Sequence, residues 1–150
     1  VTRLPFAILI CSVFFMLNPY SFWVPSIFKF LLGWLSTFLA FSIAFLLQSL
    51  IASFCFWSEK ASALERLIFI PYLFFSGLLA PLSAFPSSVL QFAYWTPFPY
   101  LINFPAKILC GLPVDLLQGL LIQICWIILL LPLVLIFWRA GVRHYTAMGA

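Results

Sequence analysis

Phe30 to Trp57 is a run of 28 residues without one Asp, Glu, Lys or Arg, and Leu116 to Trp138 is a second such run of 23. A membrane-crossing helix needs roughly 20 apolar residues to span a hydrocarbon core of about 30 Å. Coiled as a helix, the first run would measure about 42 Å, so it must tilt or let its ends emerge. Both runs predict spans. Composition agrees, because 66% of the 150 residues are hydrophobic, 7% are charged and the mean hydropathy is +1.22. A soluble domain carries roughly a quarter charged residues to wet its surface. With only ten formal charges, the chain has no such coat, and lipid is its solvent.

Two weaker apolar runs accompany these. Leu4 to Leu17 is short for a span by itself but reaches Val24 if it continues through Asn18 and Pro19. No small-residue cleavage site follows it, so it reads as a retained membrane segment rather than a signal peptide. Leu67 to Phe85 is apolar but interrupted by Pro71, Gly77 and Pro81. The stretch from Pro86 to Pro105 is too broken for a regular span and too greasy for a loop in water. Its Trp and Tyr residues favour the headgroup level. Irregular backbone at membrane depth needs shielding by protein or a wet cavity, so this stretch predicts short re-entrant or interfacial helices.

The expected architecture is therefore an all-α integral membrane protein with a single transmembrane domain over residues 1–150. Four spans are predicted at 4–24, 30–57, 67–85 and 116–138, with the re-entrant segment at 86–105 and a tail at 139–150. Four spans put both termini on one side. Arg3, Lys60, Arg66, Arg139 and Arg143 fall on that side, and Lys29 and Lys107 on the other. The excess of positive charge marks the cytoplasm, so both termini and the loop "SEKASALER" are predicted there, in a plasma (inner) membrane protein.

Catalytic chemistry has little material. The chain has one histidine, His144, and three acids, Glu59, Glu65 and Asp115, from which no metal set or nucleophile–base pair assembles. Cys11, Cys55, Cys110 and Cys125 form no CxxC pair and read as small buried hydrophobes. There is no GxxxxGK[ST] phosphate loop, so any ATP-driven work would draw on a separate ATPase. No ionisable relay lies inside the spans to carry protons. The scattered basic residues make no nucleic-acid stripe. The chain is expected to be no enzyme, to bind no cofactor or metal, and to have lipid as its surrounding.

The polar and small residues inside the spans are more informative. Gly33, Thr37, Ala40, Ala44, Gln48 and Ala52 recur at intervals of three or four along one helical stripe. Small residues let helix backbones approach closely in lipid, and an amide can bond to a neighbouring helix. The stripe predicts helix packing or the lining of a substrate path. Gln118 and Gln123 predict contact with protein or a wet cavity, since an unpaired amide in hydrocarbon is costly.

The closing stretch "FWRAGVRHYTAMGA" resembles the C-terminus of ABC transporter permeases of the type-2 exporter class, in the bacterial drug- and antibiotic-export-like branch. Gly141, Arg143, Tyr145 and Gly149 stand at the places of that family's tail. "FPAKILCGLP", with Phe104, Pro105, Gly111 and Pro113, is similar to the family's segment before the last span. "FWSEKASALE", with Phe56 and Trp57, resembles its preceding inner loop. The resemblance implies a permease subunit that pairs with a second permease, as homo- or heterodimer, and binds cytoplasmic ABC ATPases whose hydrolysis switches the paired bundles. It also implies that Pro86 to Pro105 forms the family's outer re-entrant helices. Such permeases have six spans, so the resemblance implies a further pair before Arg3, and Val1 in place of Met fits a piece of a longer chain.

On this reading Glu59, Lys60, Glu65 and Arg66 are the expected ATPase contacts, and the Gly33 stripe with Gln123 lines the path or packs the helices. The alternative is a non-transporting membrane assembly or anchoring subunit, consistent with spans that hold no charge.

Overall fold

In the computed structural model the described residues are 3–17, 26–57 and 61–148, and every regular element among them is helical. Helix α1 covers Arg3–Leu17. Its 15 residues rise about 22 Å, short of the ~30 Å core, and residues 18–24 of the expected first span lie outside the described ones. Helix α2, Ile27–Ser53, begins where the Ser26 hydroxyl accepts the Lys29 N–H at 3.4 Å, and it tightens into a 3-10 turn over Phe54–Phe56. Side-chain acceptance by a cap serine satisfies one of the helix's orphan donors.

The charged stretch after it is not an extended loop. Helix α3, Ala61–Phe75, starts within it, so Glu65 and Arg66 are helical, while Glu59 and Lys60 lie outside the described residues. Gly77, at φ +82°, stops α3 well before Phe85, because only glycine takes that backbone conformation without strain. The expected re-entrant stretch then folds as helix α4, Ser87–Tyr94, a 3-10 turn at Phe98–Tyr100, and helix α5, Asn103–Leu109. A second positive-φ glycine closes α5: Gly111 N–H donates to the Ile108 carbonyl at 3.1 Å and Leu112 N–H to that of Lys107 at 3.0 Å, the paired pattern of a Schellman end.

Helix α6 runs from Leu116 to Met148. Asp115 caps it, with Oδ1 accepting the Gln118 N–H at 3.1 Å. Its 33 residues extend about 50 Å, so the tail beyond Trp138 continues the helix. Pro71 in α3 and Pro132 in α6 sit inside their helices, each removing the N–H that would bond the carbonyl four residues back.

Two helices, Ile27–Phe56 and Leu116–Arg143, are long and apolar enough to cross a membrane. They pack on each other more extensively than any other pair of described elements, with α5 next against α2. Ser36 meets Gln123, Phe54 meets Phe137 and Phe56 meets Trp138, so α2 and α6 run parallel. In chain order between them, α3 runs back along α2, with Glu65 beside Gln48 and Tyr72 against Phe98. The buried core, Tyr100, Phe104 and Ile108, lies where the re-entrant segment meets the first turns of α2 and α6, with Leu32, Leu116 and Leu120 packed against it.

The outward surface is as informative as the core. Trp34, Phe38, Phe41 and Phe45 repeat along α2 at intervals of four, three and four and are all exposed, Trp34 at 69%. Monomeric soluble proteins do not present such contiguous apolar stripes to water. The opposite stripe of α2, Gly33, Ser36, Ala40 and Ile43, is buried.

Candidate functional site

The centre of the bundle is held by one amide. Gln123 and Ser36 are both fully buried. The Ser36 hydroxyl donates to Gln123 Oε1 at 3.1 Å, and Gln123 Nε2 donates to the Ser36 carbonyl at 3.1 Å and to the Tyr100 carbonyl at 2.8 Å. One side chain therefore ties α6 to α2 and to the 3-10 turn between α4 and α5. The Tyr100 carbonyl belongs to irregular backbone, which at membrane depth survives only when its polar groups are paired within protein. Gln123 supplies that pairing.

Glycines set the distances around this clamp. A Cβ on Gly119 would collide with the Phe104 ring, and one on Gly33 would collide with Leu109, whose Cγ lies 2.8 Å away. These contacts press α5 against both long helices. Phe104, Pro105 and Gly111, from the stretch "FPAKILCGLP", are thus respectively a knob of α5 packed against α6, a buried residue in the first turn of α5, and the stop of α5.

At the other end, two of the sequence stretches singled out above meet. The Phe56 ring sits where a Cβ on Gly141 would go, with Cγ 2.7 Å from it, and stacks edge-on with Trp138 at 5.3 Å. Trp57 contacts Phe137 edge-on at 6.2 Å. Gly141 therefore has a packing reason to be glycine. Arg143 is exposed on α6 and Tyr145 continues the helix. Gly149 lies outside the described residues.

The expected small-residue stripe is only half buried. Gly33 and Ala40 face the interior, while Thr37, Ala44, Gln48 and Ala52 are exposed on the flank. Thr37 donates to the carbonyl of Gly33 at 2.7 Å, back-bonding to its own helix. Gln48 Nε2 instead reaches Glu65 Oε1 on α3 at 3.4 Å. These two line a groove of about 250 Å³ between α2 and α3, with Ala44 on its wall. Sequence reasoning placed Gln48 and Glu65 in different roles, and the start of α3 at Ala61 is what brings them together. It missed Ser36. The available signal was the i, i+3 step from Gly33 and the i, i+4 step to Ala40.

Two larger clefts adjoin between the re-entrant segment and α6. One, of about 440 Å³, is lined by Lys107, Asp115, Gln118, Asn103 and Tyr94 among others. The second, of about 490 Å³, shares Tyr94, Tyr100, Gln118 and Ile122 with it and continues past Trp126 to Leu129. Gln118 thus faces a cleft, and Gln123, five residues on, faces protein. Cys55, Cys110 and Cys125 are free and exposed.

Parallel membrane-length helices clamped through a buried amide, with a broken helical segment wedged between them, define a helical membrane domain. The chain belongs to the ABC-2 family of transporter proteins, whose family model matches residues 24–149. It is accordingly a permease-type subunit of membrane transport. No curated protein and no solved structure gives a significant match.

Proposed function

We propose that this chain is the membrane subunit of an ATP-driven ABC exporter, forming part of the substrate path while a separate cytoplasmic ATPase supplies the energy. The match of the ABC-2 transporter family over residues 24–149 carries this reading. Exporters of this kind work as pairs, so a second permease completes the path, as homo- or heterodimer. The exposed aromatic stripe of α2 and the exposed faces of α3 offer surface for that partner and for lipid.

Four spans, in an inner membrane with both termini cytoplasmic, are the topology we infer. Parallel α2 and α6 support a third crossing, since two parallel crossings need a return between them, and α3 with residues 76–85 runs in that sense. Five basic residues on one side against two on the other support the orientation. The Trp57 end of α2 would then face the cytoplasm, and Glu59, Lys60 and Arg66, which follow it closely in sequence, are the residues proposed to contact the ATPase. Glu65 would contribute through its bond to Gln48, fixing the angle at which α3 leaves that surface.

Affinity purification of the detergent-solubilised chain, with the bound partners identified, tests the proposal. An ATPase subunit recovered in stoichiometric amount, and weakened by Arg66→Glu, is the expected result. A chain that purifies without an ATPase would support the alternative of an assembly or anchoring subunit.

A further inference from the structure

We infer that the two adjoining clefts beside α6 form one site for a membrane phospholipid whose head carries a phosphate and a primary ammonium. The inference rests on the membrane reading of α6 but not on the ATPase partnership. The upper cleft holds both signs of charge on a partly apolar wall: Lys107, from the last turn of α5, and Asp115, the cap of α6, are brought to it by the Gly111 turn. Lys107 has no ion-pair partner among the described residues. Only one Asp115 oxygen is recorded in capping, that which accepts the Gln118 N–H. A phosphate suits the lysine and an ammonium suits the free carboxylate oxygen, since charge-assisted hydrogen bonds are the stronger kind. An anionic head alone would meet Asp115, and a quaternary ammonium would have no N–H to donate to it.

The lower cleft is apolar and of leaflet length. From Gln118, where the two clefts join, to Leu129 at the far end is eleven residues of α6, a rise of roughly 16 Å. Half of a ~30 Å hydrocarbon core is about 15 Å. Tyr94 stands at the junction and Trp95, next to it in sequence, lines the lower cleft, at the level at which such rings collect in bilayers, and Trp126 also lies on the wall of the lower cleft. Head, aromatic belt and acyl slot thus occur in the order and spacing that one leaflet imposes. A free phosphate or a soluble zwitterion would leave the lower slot unused.

The full chain in nanodiscs, doped with phospholipids brominated on their acyl chains, provides the test, because bromine quenches indole emission on contact. Comparison with Trp126→Phe isolates the Trp126 signal. Phosphatidylethanolamine should half-quench it at a mole fraction about threefold lower than phosphatidylcholine or phosphatidylglycerol. The double variant Lys107→Gln, Asp115→Asn should erase that preference, while Lys107→Arg should keep it. Asn remains a good helix cap, so the double variant retains the fold-bearing contact. Equal quenching by all three lipids, a preference for phosphatidylglycerol, or a double variant that behaves as wild type would overturn the inference. So would complete protection of Trp126, which would mean that a protein surface covers the groove. Loss of ATPase binding leaves these readouts unmoved, so failure of the transport reading and failure of this one are separable.

Discussion

Replacing Gln123 by Leu should weaken the bundle by about 2 kcal/mol. The side chain makes three hydrogen bonds, and each such bond between membrane helices contributes on average about 0.6 kcal/mol, at most about 1.7. Leu fills a similar volume, so little packing is lost. The Tyr100 carbonyl loses its donor as well, so the cost should not fall below the sum of three average bonds, about 2 kcal/mol. Ser36→Ala removes one bond only and should cost about 0.6–1 kcal/mol. In the Gln123→Leu background that cost should nearly vanish, because Ser36 can turn back to its own helix as Thr37 does. The coupling energy between the two substitutions should therefore approach the whole Ser36→Ala effect. Reversible unfolding in mixed detergent micelles, followed by circular dichroism, measures all four corners of the cycle. A Gln123→Leu protein as stable as wild type, or strict additivity with Ser36→Ala, would refute the reasoning.

Substitutions at Gly119, Gly77 and Asp115 have defined outcomes by the same assay. Gly119→Ala drives a methyl into the Phe104 ring and should destabilise by about 1–3 kcal/mol, with partial recovery when Phe104→Leu is added. Gly77→Ala forces an L-residue to φ +82° beside Asn103 Nδ2 at 3.0 Å, for a cost of about 1–2 kcal/mol; an unchanged midpoint would contradict the turn. Asp115→Ala should lose about 1 kcal/mol by uncapping α6, whereas Asp115→Asn should lose little; equal losses would mean that charge, not capping, is what matters there.

How much of this was legible in sequence divides along physical lines. The two uncharged runs announce their helices because length and hydropathy alone decide whether a segment crosses a bilayer. Gln123 was legible as a protein-facing amide for the same reason: hydrocarbon does not tolerate an unpaired one. The helix it would bind was not legible. Ser36 and Thr37 are neighbours of similar size and polarity, and both fit a spacing of three or four from Gly33. Only the direction of approach of α6 and α5 selects Ser36, and that direction is a tertiary fact. The same limit moved Thr37, Ala44 and Gln48 off the buried face. The start of α3 within "SEKASALER" was obscured by its charges, which suggest a loop although Ala, Leu, Glu and Arg are strong helix formers. By contrast, the stop at Gly77 and the turn at Gly111 were visible as glycines but not as positive-φ positions. Gly141 was visible only as part of a family-like tail, until Phe56 gave it a packing partner.

The central claim is that this chain couples a membrane path to ATP hydrolysis. Its most direct measurement is hydrolysis by the co-purified ATPase in liposomes with and without the chain. The account predicts faster, vanadate-sensitive hydrolysis when the chain is present, and loss of that gain with Arg66→Glu. Identical rates with and without the chain would contradict it.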